Sequence, residues 1–177
     1  RSGLDRVDSV EGGSVGVSGT VPRGSVMEAR RSAGFAETLW GSGDGDVLFI
    51  ASHGGDVEWG TDDCAIRSYN LVERELEVEP SAWMCHGFGP DAYSRWHTVK
   101  PCRSTGSYPG LQKLDGRVFD HVVAFHMQEY GYNAVGGQAG GEARRRLAEL
   151  LRNRLPDSKR VVDDLDEMDL KGTGGDA

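Results

Sequence analysis

Lysine is scarce in this chain: only Lys100, Lys113, Lys159 and Lys171 appear among twenty basic residues, the rest being arginine. Set against 28 aspartates and glutamates, these leave a formal net charge of -8. An acidic balance of this kind argues against nucleic acid as a partner. Acidic residues with arginine in place of lysine suggest a high-salt setting, where charge is screened and aids solubility; a GC-rich genome also favours arginine. Cysteine is scarcer still. Cys64, Cys85 and Cys102 lack the spacing of a metal finger, and an odd number argues against a full disulfide framework while leaving one disulfide and a free thiol open. No apolar run is long enough to span a membrane, so membrane insertion is not expected. No signal peptide is recognisable, and the chain begins at Arg1 rather than at methionine. With 177 residues it is long enough to bury a proper core.

What the chain does have is one short, strongly apolar run, Val47-Leu48-Phe49-Ile50, followed by Ala51-Ser52-His53-Gly54-Gly55-Asp56-Val57-Glu58-Trp59-Gly60-Thr61. The run is too short for a helix and predicts a buried strand ending in a histidine. The two glycines allow a sharp turn, and a carboxylate follows five positions after His53. An imidazole and a carboxylate leaving one strand end can converge on zinc, which takes N and O ligands and keeps a position for water in catalytic sites. A second apolar run, Val122-Val123-Ala124-Phe125, ends in His126. Two buried strands that each deliver a histidine at their carboxyl ends suit an open α/β sheet, whose ligands gather at that edge. The plainer alternative is that His-Gly-Gly is ordinary loop chemistry.

A longer ordered series surrounds these residues: Ser81-Ala82-Trp83, Gly87-Phe88, Arg95-Trp96-His97-Thr98, Tyr108-Pro109-Gly110-Leu111, Phe119-Asp120 and Val135-Gly136-Gly137. Together with His53-Gly54-Gly55, Glu58, Gly60-Thr61 and His126, it resembles the poly-γ-glutamate hydrolase family, which includes phage enzymes and is similar in fold to zinc carboxypeptidases. The likeness runs over residues 46–155. It implies an α/β fold with an open mixed sheet flanked by helices, zinc as cofactor, and His53, Glu58 and His126 as its ligands. Thr61, His97 and Arg103 are the substrate-side candidates. The family's polar stretch after the Trp-His-Thr segment is replaced here by Lys100-Pro101-Cys102-Arg103, which puts transfer of substrate specificity in doubt.

Read in order, residues 1–45 form a Gly/Ser-rich arm, residues 46–162 the hydrolase-like domain and residues 163–177 an acidic, Gly-rich tail. Residues 15–21 alternate as a weak edge strand would, and residues 22–25 suggest a turn. Residues 26–39 suggest a short helix or an irregular arm that Gly34 weakens. A helix is expected over residues 62–73, capped by Thr61, with Ala65, Ile66, Tyr69 and Val72 inward, Leu71 off the stripe, and Cys64 as a small core residue. Residues 81–88 and 93–99 read as strands, 104–116 as a long loop and 118–126 as the second metal-bearing strand. The clearest helix covers residues 141–155, with Ala143, Leu147, Leu150, Leu151 and Leu155 as its apolar stripe and Arg144, Arg145, Arg152 and Arg154 on the solvated face. Residues 160–162 suggest a last short strand.

The chemistry expected is metal-assisted amide hydrolysis of a γ-linked polyglutamate or another capsule or cell-surface polymer, a polyanionic partner, by an extracellular or virion-associated protein. Bound zinc lowers the pKa of its water and polarises a carbonyl, and a carboxylate base must accept the water's proton. In the carboxypeptidase-like folds this chain resembles, that carboxylate lies on a late strand, and residues 172–177 offer no counterpart. Glu129, near His126, is a weak substitute. Two other readings stand beside this one. A structural or host-contact component of a virus particle, touching other virion proteins, can retain the hydrolase fold. A zinc N-acetylmuramoyl-L-alanine amidase also uses a His-Gly-Gly strand end, but the short spacing from His53 to Glu58 argues against it.

Overall fold

The computed structural model describes residues 8–10, 25–76, 78–97, 106–168 and 171. The chain divides into two compact units, Arg1–Met127 and Gln128–Ala177. The first is built on a five-stranded sheet of β1 (Asp8–Val10), β2 (Phe35–Trp40), β3 (Val47–Gly55), β4 (Pro80–Gly87) and β5 (His121–Ala124). Their order is β1-β2-β4-β3-β5. β3 runs parallel to β4 and β5, whereas β2 is antiparallel to both β4 and β1. The sheet is therefore mixed, as expected, and helices cover it.

The helices of this unit are α1 (Val26–Arg31), α2 (Thr61–Glu75), α3 (Ala92–Trp96) and α4 (Pro109–Lys113). One face of the sheet presents Phe49, Ala51, Ala82, Met84 and Trp40 to Ala65 and Tyr69 of α2. The other presents Leu48, Ile50, Trp83, Cys85, Phe35 and Leu39 to Ala92 and Trp96 of α3 and to Tyr108 and Leu114 on either side of α4. β4 is buried along its whole length, so it carries apolar residues on both faces instead of alternating. Each large apolar side chain buried this way contributes roughly 1.5–3 kcal/mol.

Several expectations are corrected here. Residues 35–39, read as continuing a helix or arm, form β2 between β1 and β4, because α1 stops at Arg31 and the turn carries Ala33 at a positive φ of 52°. Both faces of β2 are buried and its polar residues have tertiary partners, so its sequence shows no alternation. Residues 92–96 form a helix rather than a strand, since Ala92 and Trp96 share one helical face and enter the core together. The long loop over 104–116 contains α4, started by Pro109 at its first turn. α2 is capped by Gly60 in the left-handed region, not by Thr61, and Cys64 is exposed because it lies beside rather than on the stripe of Ala65 and Tyr69. β5 is a half-exposed sheet edge rather than a buried strand. The readings at residues 15–21, at 22–24, at Cys102, at Arg103 and at 172–177 lie outside the described residues.

The second unit pairs β6 (Asn133–Ala134) with β7 (Val161–Val162) in parallel and covers them with α5 (Gly141–Arg152). Its core is Val135, Ala148 and Val161, with Leu151 and Leu155 partly buried against it. Leu147 and Leu150 are exposed, as is Ala143, contrary to the expected stripe. Two two-residue strands offer a helix only a narrow seam to cover, and Ala148 fits it. Arg144 and Arg152 are not simply solvated, since their guanidinium groups donate to the carbonyls of Gly137 and Val161. Residues 165–167 form a single 3-10 turn within the acidic run. Among the described residues, no helix is long and apolar enough to cross a membrane.

Candidate metal centre

The carboxyl end of β3 is where the sequence concentrates its chemistry. Ala51 pairs with Met84 and Gly54 with His86, so β3 advances three residues while β4 advances two. This one-residue bulge contains Ser52 and His53. Gly55, at φ 73°, then turns the chain into residues 56–60, whose return is fixed by a hydrogen bond of 2.7 Å from the Glu58 N–H to the His53 carbonyl. Thr61 secures the same turn: its N–H and its hydroxyl both donate to the Glu58 carbonyl. The result is a carboxylate, 6 % exposed, folded back over a histidine that is equally buried.

Glu58 is the hub. Its Oε1 lies 2.9 Å from Nδ1 of His53 and 3.7 Å from Nε2 of His97, while its Oε2 lies 3.2 Å from Nδ1 of His126 and accepts the Met127 N–H at 3.1 Å. The three imidazoles arrive from three elements: the β3 bulge, the residue that ends α3, and the segment just beyond β5. The His97 ring stacks on His53 with centroids 4.1 Å apart, and Tyr93 stacks on the outer face of His97 at 4.5 Å. Trp59, beside Glu58 in sequence, is 79 % exposed.

Burial pushes the Glu58 carboxyl upward, but hydrogen bonds to His126 and His53 and their charges outweigh it and hold the pKa at about 2. His97 is lowered, first by burial and then by the neighbouring His53. A carboxylate with three imidazoles around it is a donor set suited to a divalent cation. The ligand atoms of His53, Glu58 and His97 lie within 4.8 Å of one another. Zinc with ligands at about 2.0–2.1 Å in a tetrahedron sets neighbouring ligand atoms roughly 3.3 Å apart, and the separations of Glu58 Oε1 from His53 and His97, 2.9 and 3.7 Å, lie on either side of that value. This buried group can therefore hold a metal ion.

The expected ligand set of His53, Glu58 and His126 is only partly the compact one. His97, assigned to the substrate side, is the third member of the tight cluster, and His126 meets the other carboxylate oxygen with its side chain about half exposed. Thr61 sits beneath Glu58 with its hydroxyl already engaged, and Glu129 belongs to the second unit. Sequence reasoning missed the Tyr93 and His97 ring stack because residues 93–99 read as a strand. The chain matches no family model, no curated protein and no solved structure.

Proposed function

We propose that this chain is a zinc-dependent amide hydrolase of γ-linked polyglutamate or a related cell-surface polymer, on a sheet of the carboxypeptidase type. The observation that carries the reading is the convergence of His53, His97 and His126 on one buried, ionised carboxylate at the carboxyl ends of parallel strands. Zinc bound there supplies an activated water and a Lewis acid for the scissile carbonyl. The chain's own groups would hold and orient that centre. Glu58 and His53, both buried, form the dry floor of the site and fix the cation's position. His126, on the exposed side, leaves the approach open to a polymer. Tyr93 covers His97 and holds its ring plane, which keeps Nε2 directed at Glu58.

A second reading has its own observation in support. His53, Glu58, His97 and His126 are four donors, enough to complete a tetrahedral shell, and closed shells are characteristic of structural zinc. On that reading the chain keeps the fold and the metal as a structural or host-contact component of a larger assembly. Elemental analysis of the purified protein and of His53→Ala, followed by incubation with poly-γ-glutamate and with cell-wall polymers, separates the two. One zinc per chain that is lost in the variant, together with shortened polymer, is the result expected. Zinc without cleavage favours the closed structural site. No metal in either protein sinks both.

A further inference from the structure

A second set of buried polar side chains lies behind the centre. Thr38 of β2, His86 of β4 and Asp62 in the first turn of α2 form a continuous chain. Thr38 Oγ1 is 2.9 Å from His86 Nε2, and His86 Nδ1 is 2.8 Å from Asp62 Oδ2. Thr38 is 1 % and His86 2 % exposed. The Asp62 carboxyl is held below its ordinary range, burial being outweighed by the hydrogen bond and charge of His86, and both its oxygens accept. The carboxylate accepts, so His86 donates from Nδ1, and its Nε2 shares a hydrogen bond with the Thr38 hydroxyl. The order of groups is that of a nucleophile, base and acid, but a threonine this deeply buried meets no substrate.

The far end of the chain is at the bulge. Asp62 Oδ2 also accepts the Gly55 N–H at 3.1 Å, and a Cβ on Gly54 would stand 2.6 Å from the Asp62 Cβ. Strand alternation continued from Phe49 and Ala51 assigns His53 to the α2 face. The extra residue reverses that, and His53 instead stacks on His97 at the end of α3, on the opposite face. Asp62 and His86 fill the α2 side at this level, with Gly54 lying flush against them.

We infer that Thr38, His86 and Asp62 are positioning residues that pin the β3 bulge through the Gly55 N–H and so keep His53 turned toward Glu58 and His97. The inference rests on the zinc reading above only for its affinity readout. The device acts in the metal-free protein too.

The test compares two substitutions at one position. The amide nitrogen of asparagine reaches the place of Nδ1 and that of glutamine the place of Nε2, so His86→Asn keeps the bond to Asp62 and His86→Gln keeps only the one to Thr38. Hydrogen exchange at the Gly55 amide, referenced to Phe49 in the same strand, is measured in the metal-free proteins, and zinc affinity by chelator competition. In His86→Gln, Gly55 protection and zinc affinity should each fall about tenfold, the low end of the loss seen for outer partners of metal-binding histidines. In His86→Asn both should stay within about threefold of the parent. Equal losses in the two variants, or Gly55 exchange unchanged in His86→Gln, overturn the inference. If neither variant folds, Thr38→Val decides on the same readouts, a parallel loss of protection supporting the device and unchanged exchange overturning it. If the parent protein binds no zinc, the metal reading fails by itself, and Gly55 exchange still decides whether the bulge is pinned.

Discussion

Two buried glutamates of the first unit have carboxyl groups shifted in opposite directions. Glu58, at about pKa 2, is a depressed carboxylate. Its contribution to stability is present above the ordinary value of 4.5 and is lost as pH falls through about 2. Glu58→Gln should therefore flatten the acid limb of a metal-free stability profile and weaken zinc binding at least about a hundredfold, both measurable by pH-dependent urea unfolding and chelator competition. Glu37 is raised from 4.5, chiefly by burial, although it accepts from Trp83 Nε1 and the Leu111 N–H. A raised carboxyl destabilises the folded state increasingly as pH rises above its unfolded value. Among the described residues its Oε2 has no hydrogen-bond partner. Glu37→Gln keeps the acceptor for Trp83 and Leu111 and removes the ionisation, so pH-dependent urea unfolding should show a gain in stability over the parent at pH 8 and none at pH 4. At this scale the sequence shows Glu58 and His53, because their spacing is local. It hides Glu37, His86 and Thr38, whose partners lie 24 to 74 residues away.

At the scale of elements, the decisive one is β3 with its bulge and the turn that follows. Two glycines there have different tolerances. Gly55 has φ 73°, and a Cβ would meet the Gly87 carbonyl oxygen at 2.5 Å. Gly60 has φ 85° with open space around it. Gly55→Ala should cost more than about 3 kcal/mol and impair zinc binding, whereas Gly60→Ala should cost about 1–2 kcal/mol, the strain of a left-handed residue alone. Urea unfolding and zinc titration of the two variants check the contrast. β3, β4 and α2 were legible because each has a clean apolar pattern that starts at or near a glycine or proline. β2 was not, since an interior strand carrying Glu37 and Thr38 resembles no half-buried strand until their partners are known. α3 escaped for a different reason: five residues are too few to reveal helical periodicity against the β-forming side chains around them.

For the whole molecule, the two units differ in how much core they own. The first has two extended buried clusters on opposite faces of one sheet, whereas that of the second comprises three buried side chains and two partly buried leucines. Amides of α5 should accordingly exchange with solvent faster than those of β3 and β4, by about tenfold or more, in native-state hydrogen exchange. The net charge of -8 adds a self-repulsion that salt relieves. Raising sodium chloride from about 0.1 M to 1 M shortens the screening length from about 10 Å to about 3 Å and should raise the melting temperature. A fall would count against the high-salt setting that the arginine-rich, acidic composition suggests. Charge balance is legible in composition alone, whereas the division after Met127 shows only in the contacts of the folded chain. Finally, Trp40, Trp83 and Trp96 are all buried, and Trp59, next to Glu58, stands in solvent. The red-shifted, quencher-accessible part of the intrinsic fluorescence thus belongs to one indole at the rim of the centre. The protein carries its own optical reporter there, one that a paramagnetic cation should dim on arrival.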